Sequence, residues 1–123
     1  MKYEPIDLSK KFELFDEYWT PKLIAESNNQ LVKLAKLKGE LVWHTHEKED
    51  ELFFIVKGKL KLKFRDGEVV LKTGELFVVP AGKEHLPIAL EESWVMLIEP
   101  ASTLHTGDIN EQRTVGIDEQ EWI

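Results

Sequence analysis

Three histidines and one glutamate have the types and spacing to do chemistry. His44 and His46 flank Thr45, Glu51 follows five residues after His46, and His85 lies past a Pro-x-Gly turn. In an extended segment, residues i and i+2 point to the same face, so His44 and His46 would project side by side. Two imidazoles on one face, a carboxylate from the next stretch and a third imidazole from a later strand form a candidate octahedral metal site. Each imidazole can give one ring nitrogen at about 2.1 Å, and Glu51 adds a hard oxygen and a negative charge. Three nitrogens and one oxygen leave two octahedral positions open. With no sulfur ligand, Mn(II), Fe(II), Ni(II), Co(II) and Zn(II) all suit the set. Glu47, Glu49 and Asp50 are alternative carboxylates in the same loop and read more simply as a solvated acidic surface.

The elements that must position these side chains are β-strands. Leu31 to Leu37 alternates, and Gly39 breaks the run. Leu41 to His46 reads as a second short strand and Leu52 to Val56 as an apolar one. Leu60, Leu62 and Phe64 alternate with lysines 59, 61 and 63 as a half-buried strand. Asp66-Gly67 predicts a hairpin turn of type I′, with Gly67 at positive φ. Strands are also expected over 68–71, 75–79, 86–90 and 94–99, with turns at Thr73-Gly74, Pro80 to Lys83 and Glu91 to Ser93. Short, regularly spaced strands predict a sandwich or small barrel. The first thirty residues differ. Phe12, Phe15, Tyr18 and Trp19 have rough helical spacing, so a short helix is expected, then an added edge strand near 21–25 and a turn at Asn28-Asn29. The tail ends Glu121-Trp122-Ile123, a pattern that docks on the body or on a partner subunit.

The chain has 123 residues, 16 Lys and Arg, 23 Asp and Glu, and no cysteine. One domain is expected, with an arm over 1–30, a barrel over 31–99 and a tail over 100–123. The acidic balance argues against binding to nucleic acid or an anionic membrane. The absence of cysteine excludes thiolate ligation, a cysteine nucleophile and a disulfide scaffold. It also fits a reducing cytoplasm. The start Met1-Lys2-Tyr3-Glu4-Pro5 has no apolar run behind it, so no signal peptide is expected. The apolar runs are strand-length, too short to span a membrane.

Gly39-x4-His44-x-His46-x4-Glu51-x6-Gly58 resembles the first signature of the cupin superfamily, and Gly74-x5-Pro80-x-Gly82-x2-His85 resembles the second. The family's first motif usually has five residues before its first His, where this chain has four. The family's Asn after the last His falls at Ala89. The chain as a whole resembles a small single-domain cupin (the cupin type-2 conserved barrel) of a poorly characterised bacterial subgroup, with Thr106-Gly107-Asp108 as a shared tail feature. The resemblance implies an all-β fold, a double-stranded β-helix or jelly-roll barrel, here with a short N-terminal helix or arm. It implies one divalent transition metal held by His44, His46, Glu51 and His85, and dioxygenase, isomerase or decarboxylase chemistry on a small polar molecule. The alternative is a non-catalytic module that binds a small ligand or carries metal.

Strand phase gives Val42, Phe53, Leu62, Phe77 and Met96 as candidate pocket lining, each of which plain barrel core would also explain. Trp43 and Trp94 are candidates for a contact between sheets or subunits. Lysines 59, 61 and 63 read as a solvated face that resists edge pairing. Lys83 lies near the expected mouth. Arg65 belongs to the hairpin and Arg113 to the tail, so no arginine fork for an anion is evident. A homodimer with the arm and Trp122 in the contact is expected. The partner is a small molecule.

Overall fold

The computed structural model describes residues 3–102 and 120–123. The expected features at Thr106-Gly107-Asp108 and Arg113 lie outside them. One helix, α1 (Leu8–Phe12), precedes eight strands: β1 (Lys22–Ser27), β2 (Gln30–Glu40), β3 (Glu51–Lys57), β4 (Lys59–Phe64), β5 (Gly67–Lys72), β6 (Leu76–Val79), β7 (His85–Pro100) and β8 (Glu121–Trp122). The hydrogen-bonded order is β5-β4-β7-β2-β1-β8, and β3 joins β7 on one side and β6 on the other. This is the expected all-β barrel. No described helix is long and apolar enough to cross a membrane.

The barrel closes because β7 changes partner along its length. Its first half pairs with β4, from Phe64↔His85 to Leu60↔Ala89. Its second half pairs with β3, from Leu52↔Ile98 to Lys57↔Trp94. Residues 85–100 are therefore one bent strand and not the two strands expected at 86–90 and 94–99. The β2–β7 ladder steps from Leu37↔Ser93 to Gly39↔Ala89, so Leu90, Glu91 and Glu92 bulge outward without breaking the strand. At the same corner Gly58 joins β3 to β4 with φ +101. A Cβ there would lie 2.5 Å from Ser93 Oγ and 2.9 Å from Glu92 O. The Lys59 amide donates to Ser93 Oγ (3.0 Å), and the buried hydroxyl donates on to Glu91 O (2.9 Å). This polar staple fixes the bend.

The hairpin between β4 and β5 turns one residue earlier than expected. Phe64 pairs with Gly67, so Arg65 and Asp66 form the loop and Gly67 opens the strand without a positive φ. This register sets inward Leu60 and Leu62 opposite Leu71 and Val69. The turn is also pinned by its side chains: Arg65 binds Glu84 (2.7 Å) and Lys83 binds Asp66 (2.8 Å). Asn28 and Asn29 form the β1–β2 turn, both at positive φ. The expected strand over Leu41 to His46 is absent. That segment keeps isolated backbone bonds to residues 82–87, centred on a bridge between His44 and His85.

Two apolar cores hold the molecule together. The barrel interior contains Ala35, Leu37, Phe53, Ile55, Leu60, Leu62, Val95 and Leu97. A second core sits outside the sheet, where Phe12 and Phe15 cover Leu34 and Ile24 with Trp94 and Met96 beside them. Helix α1 starts at Asp7, whose carboxylate accepts from the Lys10 amide (3.2 Å). Its buried Phe12 stacks on Trp94 with ring centroids 4.8 Å apart. Strand β8 runs parallel to β1, and Ile123 packs against this outer core. The C-terminal residues thus dock on the body, and β1 is flanked on both sides instead of forming an edge.

Candidate metal centre

The four ligand candidates arrive from three places at one end of the barrel. His44 and His46 sit in the segment between β2 and β3, Glu51 opens β3, and His85 opens β7. The segment needs no strand to aim its histidines. His44 and His85 exchange both backbone hydrogen bonds (3.0 and 2.9 Å), and the Gly82 amide donates to His46 O (2.8 Å). Gly82 reaches that position at φ +81, at the turn closed by the Lys83 amide on Pro80 O. The Ala81 amide donates to the Asp50 carboxylate (2.8 Å), which ties the same turn to the start of β3. Asp50 therefore serves the scaffold, while Glu47 is exposed.

The side chains converge. One ligand atom from each of His44, His46, Glu51 and His85 lies within 4.8 Å of the others, and all four residues are buried. Glu51 Oε1 is 3.3 Å from His46 Nε2 and 3.5 Å from His85 Nε2. Ligands held at about 2.1 Å around an octahedral ion stand about 3 Å apart when adjacent and about 4.2 Å apart when opposite. A modest contraction brings the cluster onto an ion. The ring orientations fit as well. His44 Nδ1 donates to Val42 O and His85 Nδ1 to Lys83 O, both at 2.9 Å. A carbonyl only accepts, so these nitrogens carry the protons and each Nε2 keeps its lone pair for an ion. His85 Nε2 and Glu51 Oε1 are buried without a hydrogen-bond partner. Such orphaned atoms are costly unless something coordinates them.

Burial, and secondarily the neighbouring His85, pull the His44 pKa down to about 4. His44 is therefore neutral and ready to bind at ordinary pH. Burial pushes the Glu51 carboxyl up, but the facing His46 and His85 rings, with the adjacent Glu99, outweigh it and hold it well below the usual range. Glu99 moves the other way, raised well above the carboxylate range by burial and by the charge of Glu51.

An apolar cavity of about 30 Å³ lies against His44 and Glu51. Phe53 lines it together with Leu37, Leu41, Pro87 and Leu97, and the N-terminal arm supplies Trp19 and Pro21. Trp19 adopts φ +57, rare for a bulky residue. It is held there by its amide on Lys36 O and its indole on Lys38 O, both at 2.9 Å. The other expected lining residues lie elsewhere. Leu62 is fully buried in the barrel core, and Val42 and Phe77 pack on that core's margin. Met96 faces the outer core beside Phe12, because it alternates with the inward Val95 and Leu97 on β7. Trp43 lies under the Arg65 guanidinium (3.7 Å) and Trp94 under α1. Lys83 is engaged with Asp66.

Lys33 and Glu99 were not anticipated. Both are fully buried, with Lys33 Nζ 2.9 Å from Glu99 Oε1. The signal was present in the strand phase. Lys33 shares the inward face of β2 with Leu31, Ala35 and Leu37, and Glu99 shares that of β7 with Val95 and Leu97. Trp19 and Pro21 left no such trace, since they precede the first strand.

Comparison with known proteins agrees with this geometry. The profile of the cupin domain family matches residues 30–101. A cupin-2 domain containing protein from Shewanella frigidimarina is 46% identical, with TM-score 0.76, over 77% of this chain and 93% of its own. Protein NMB1881 from Neisseria meningitidis is 33% identical, with TM-score 0.72, over 79% of this chain and 99% of its own. The uncharacterised protein YdbB of Bacillus subtilis is 41% identical over 63 residues, which are 50% of this chain and 56% of that protein, so the match spans about half its length. With the motif, the barrel and the buried cluster in place, this chain belongs to the cupin domain family.

Proposed function

We propose that this protein is a mononuclear metal-dependent enzyme that transforms a small molecule in the apolar cavity beside His44 and Glu51. The observation that carries the reading is the buried His44, His46, Glu51, His85 cluster, whose ligand atoms converge and include two orphaned ones. When bound, a divalent transition metal (Mn, Fe, Ni, Co or Zn) would supply Lewis acidity or redox capacity, with two coordination positions left for substrate or co-substrate. The chain's own residues exclude water, keep the His44 and His85 tautomers fixed and add one negative charge through Glu51. Dioxygenase, isomerase and decarboxylase chemistry all fit such a centre.

The cavity has room for only one or two waters. Trp19 and Pro21 must therefore shift for an organic substrate to reach the ligands. Turnover of diols, keto-sugars and catechol-like compounds, screened with each reconstituted metal, tests the reading. Metal-loaded protein that turns over none of them contradicts it.

One observation favours a non-catalytic binding or metal-carrying role as the second reading. Among the described residues, the cavity lining offers no acid or base beyond His44 and Glu51. Here a ligand raises the melting temperature and is recovered unchanged. We further propose a cytoplasmic homodimer, in keeping with a cysteine-free chain and with exposed Trp122 and Leu14 beside the arm. Sedimentation of the purified protein tests the dimer.

A further inference from the structure

A buried lysine lies two steps behind the ligand cluster. Lys33 on β2 and Glu99 on β7 are diagonal neighbours on the inner face of one ladder, where Lys33 pairs with Leu97 and Leu31 with Glu99. Both side chains are 0% exposed, and their charged atoms lie 2.9 Å apart. Burying such a pair rarely adds stability, because an apolar pair of similar volume does as well or better. Its presence inside an otherwise apolar barrel therefore calls for another role.

Glu99 also reaches the ligand cluster. The β3–β7 ladder pairs Leu52 with Ile98, which sets Glu51 beside Glu99 one step further on. The two carboxyls are both buried and adjoin on the inner face of that ladder. On its other side, Glu51 Oε1 faces the Nε2 atoms of His46 and His85. The order from the interior outward is thus Lys33, Glu99, Glu51 and the histidines. A second carboxyl beside Glu51 would repel an ionised ligand, and Lys33 offsets that charge.

We propose that Glu99, anchored by Lys33, is a positioning residue that holds the Glu51 carboxylate in place as the metal's oxygen ligand. The inference rests on the metal reading above and adds to it a part of the site that touches neither metal nor substrate. Outer partners of this kind typically change metal affinity 10- to 100-fold.

The test uses Co(II) alone as the probe, with affinity from competition against a chromophoric chelator and coordination from its visible absorption. Two double variants both remove the ion pair and differ only in contact with Glu51. K33M/E99Q keeps an amide that can donate to Glu51. K33M/E99M has no polar group there, and K33M/E99L substitutes should it fail to fold. K33M/E99Q is expected to bind Co(II) within about threefold of wild type. K33M/E99M should bind about 10- to 100-fold more weakly, with an altered absorption band. In a Glu51→Ala background the K33M/E99M change should make no further difference, because Glu99 acts through Glu51. Equal binding by wild type and K33M/E99M overturns the inference and leaves the metal site standing. So does equal weakening in both double variants. Wild-type protein that takes up no Co(II) overturns the metal reading and this inference together.

Discussion

Acidifying the metal-free protein should destabilise it through His44 in a defined window. Burial and His85 hold this imidazole at about 4, whereas in the unfolded chain it titrates near 6.5. Between those values the unfolded chain binds a proton that the folded chain refuses. Stability therefore falls as pH falls from about 6.5 to about 4, and the effect is absent above that window and constant below it. At about 1.4 kcal/mol for each pH unit, the full window is worth about 3 kcal/mol, and acidification to pH 4.5 about 2–3 kcal/mol. Other groups titrate there too, so the informative quantity is a difference between variants. His44→Gln is neutral throughout and lacks the effect. The assay is urea denaturation of chelator-treated wild type and His44→Gln at pH 7 and pH 4.5. Wild type should lose about 2–3 kcal/mol more than the variant on acidification, a difference of roughly 1–2 M in relative urea midpoint shift for a domain of this size. Equal losses in the two proteins would show that His44 is not held neutral by its surroundings.

Three other outcomes follow from the same geometry. Gly58→Ala forces a Cβ against Ser93 and Glu92 at φ +101, which should cost about 2 kcal/mol or more and lower Tm by about 8 °C or more in a thermal melt. Lys33→Met alone leaves Glu99 buried without its cation and should cost about 3–5 kcal/mol by urea denaturation, while K33M/E99M lies much closer to wild type. Bound metal should leave as pH falls from about 6 towards 4, read by a chromophoric chelator, because protons compete for the imidazoles.

The four-residue cluster was legible in sequence because it depends on residue type and spacing. His44, His46, Glu51 and His85 meet as expected, although His44 and His46 lie outside any strand. The i, i+2 argument reached the right grouping through the wrong element. Backbone bonds to His85 and Gly82 replace strand pairing there. The barrel was legible from alternation, as in Leu60 and Leu62 against the lysines of β4. The bend of β7 was not, because Glu91-Glu92-Ser93 looks like a turn until Ser93 is seen tied to Lys59 across the corner. Pocket lining was least legible. Phase counting from Glu51 reached Phe53, but Met96 pairs with Phe54, one step out of phase with Phe53, and falls in the outer core. Trp19 and Pro21 come to the cavity through long-range docking of the arm, which no local pattern encodes. Lys33 was visible in the inward phase of β2, yet a lysine in an alternating run is read most simply as solvated.

The central claim is that four buried side chains hold one metal ion. Elemental analysis of protein prepared without a histidine tag, beside a His44→Ala, His46→Ala, His85→Ala variant, tests it most directly. The account predicts close to one divalent transition metal per wild-type chain after reconstitution and none in the triple variant. A metal-free wild type under those conditions, or equal metal in the variant, would contradict it.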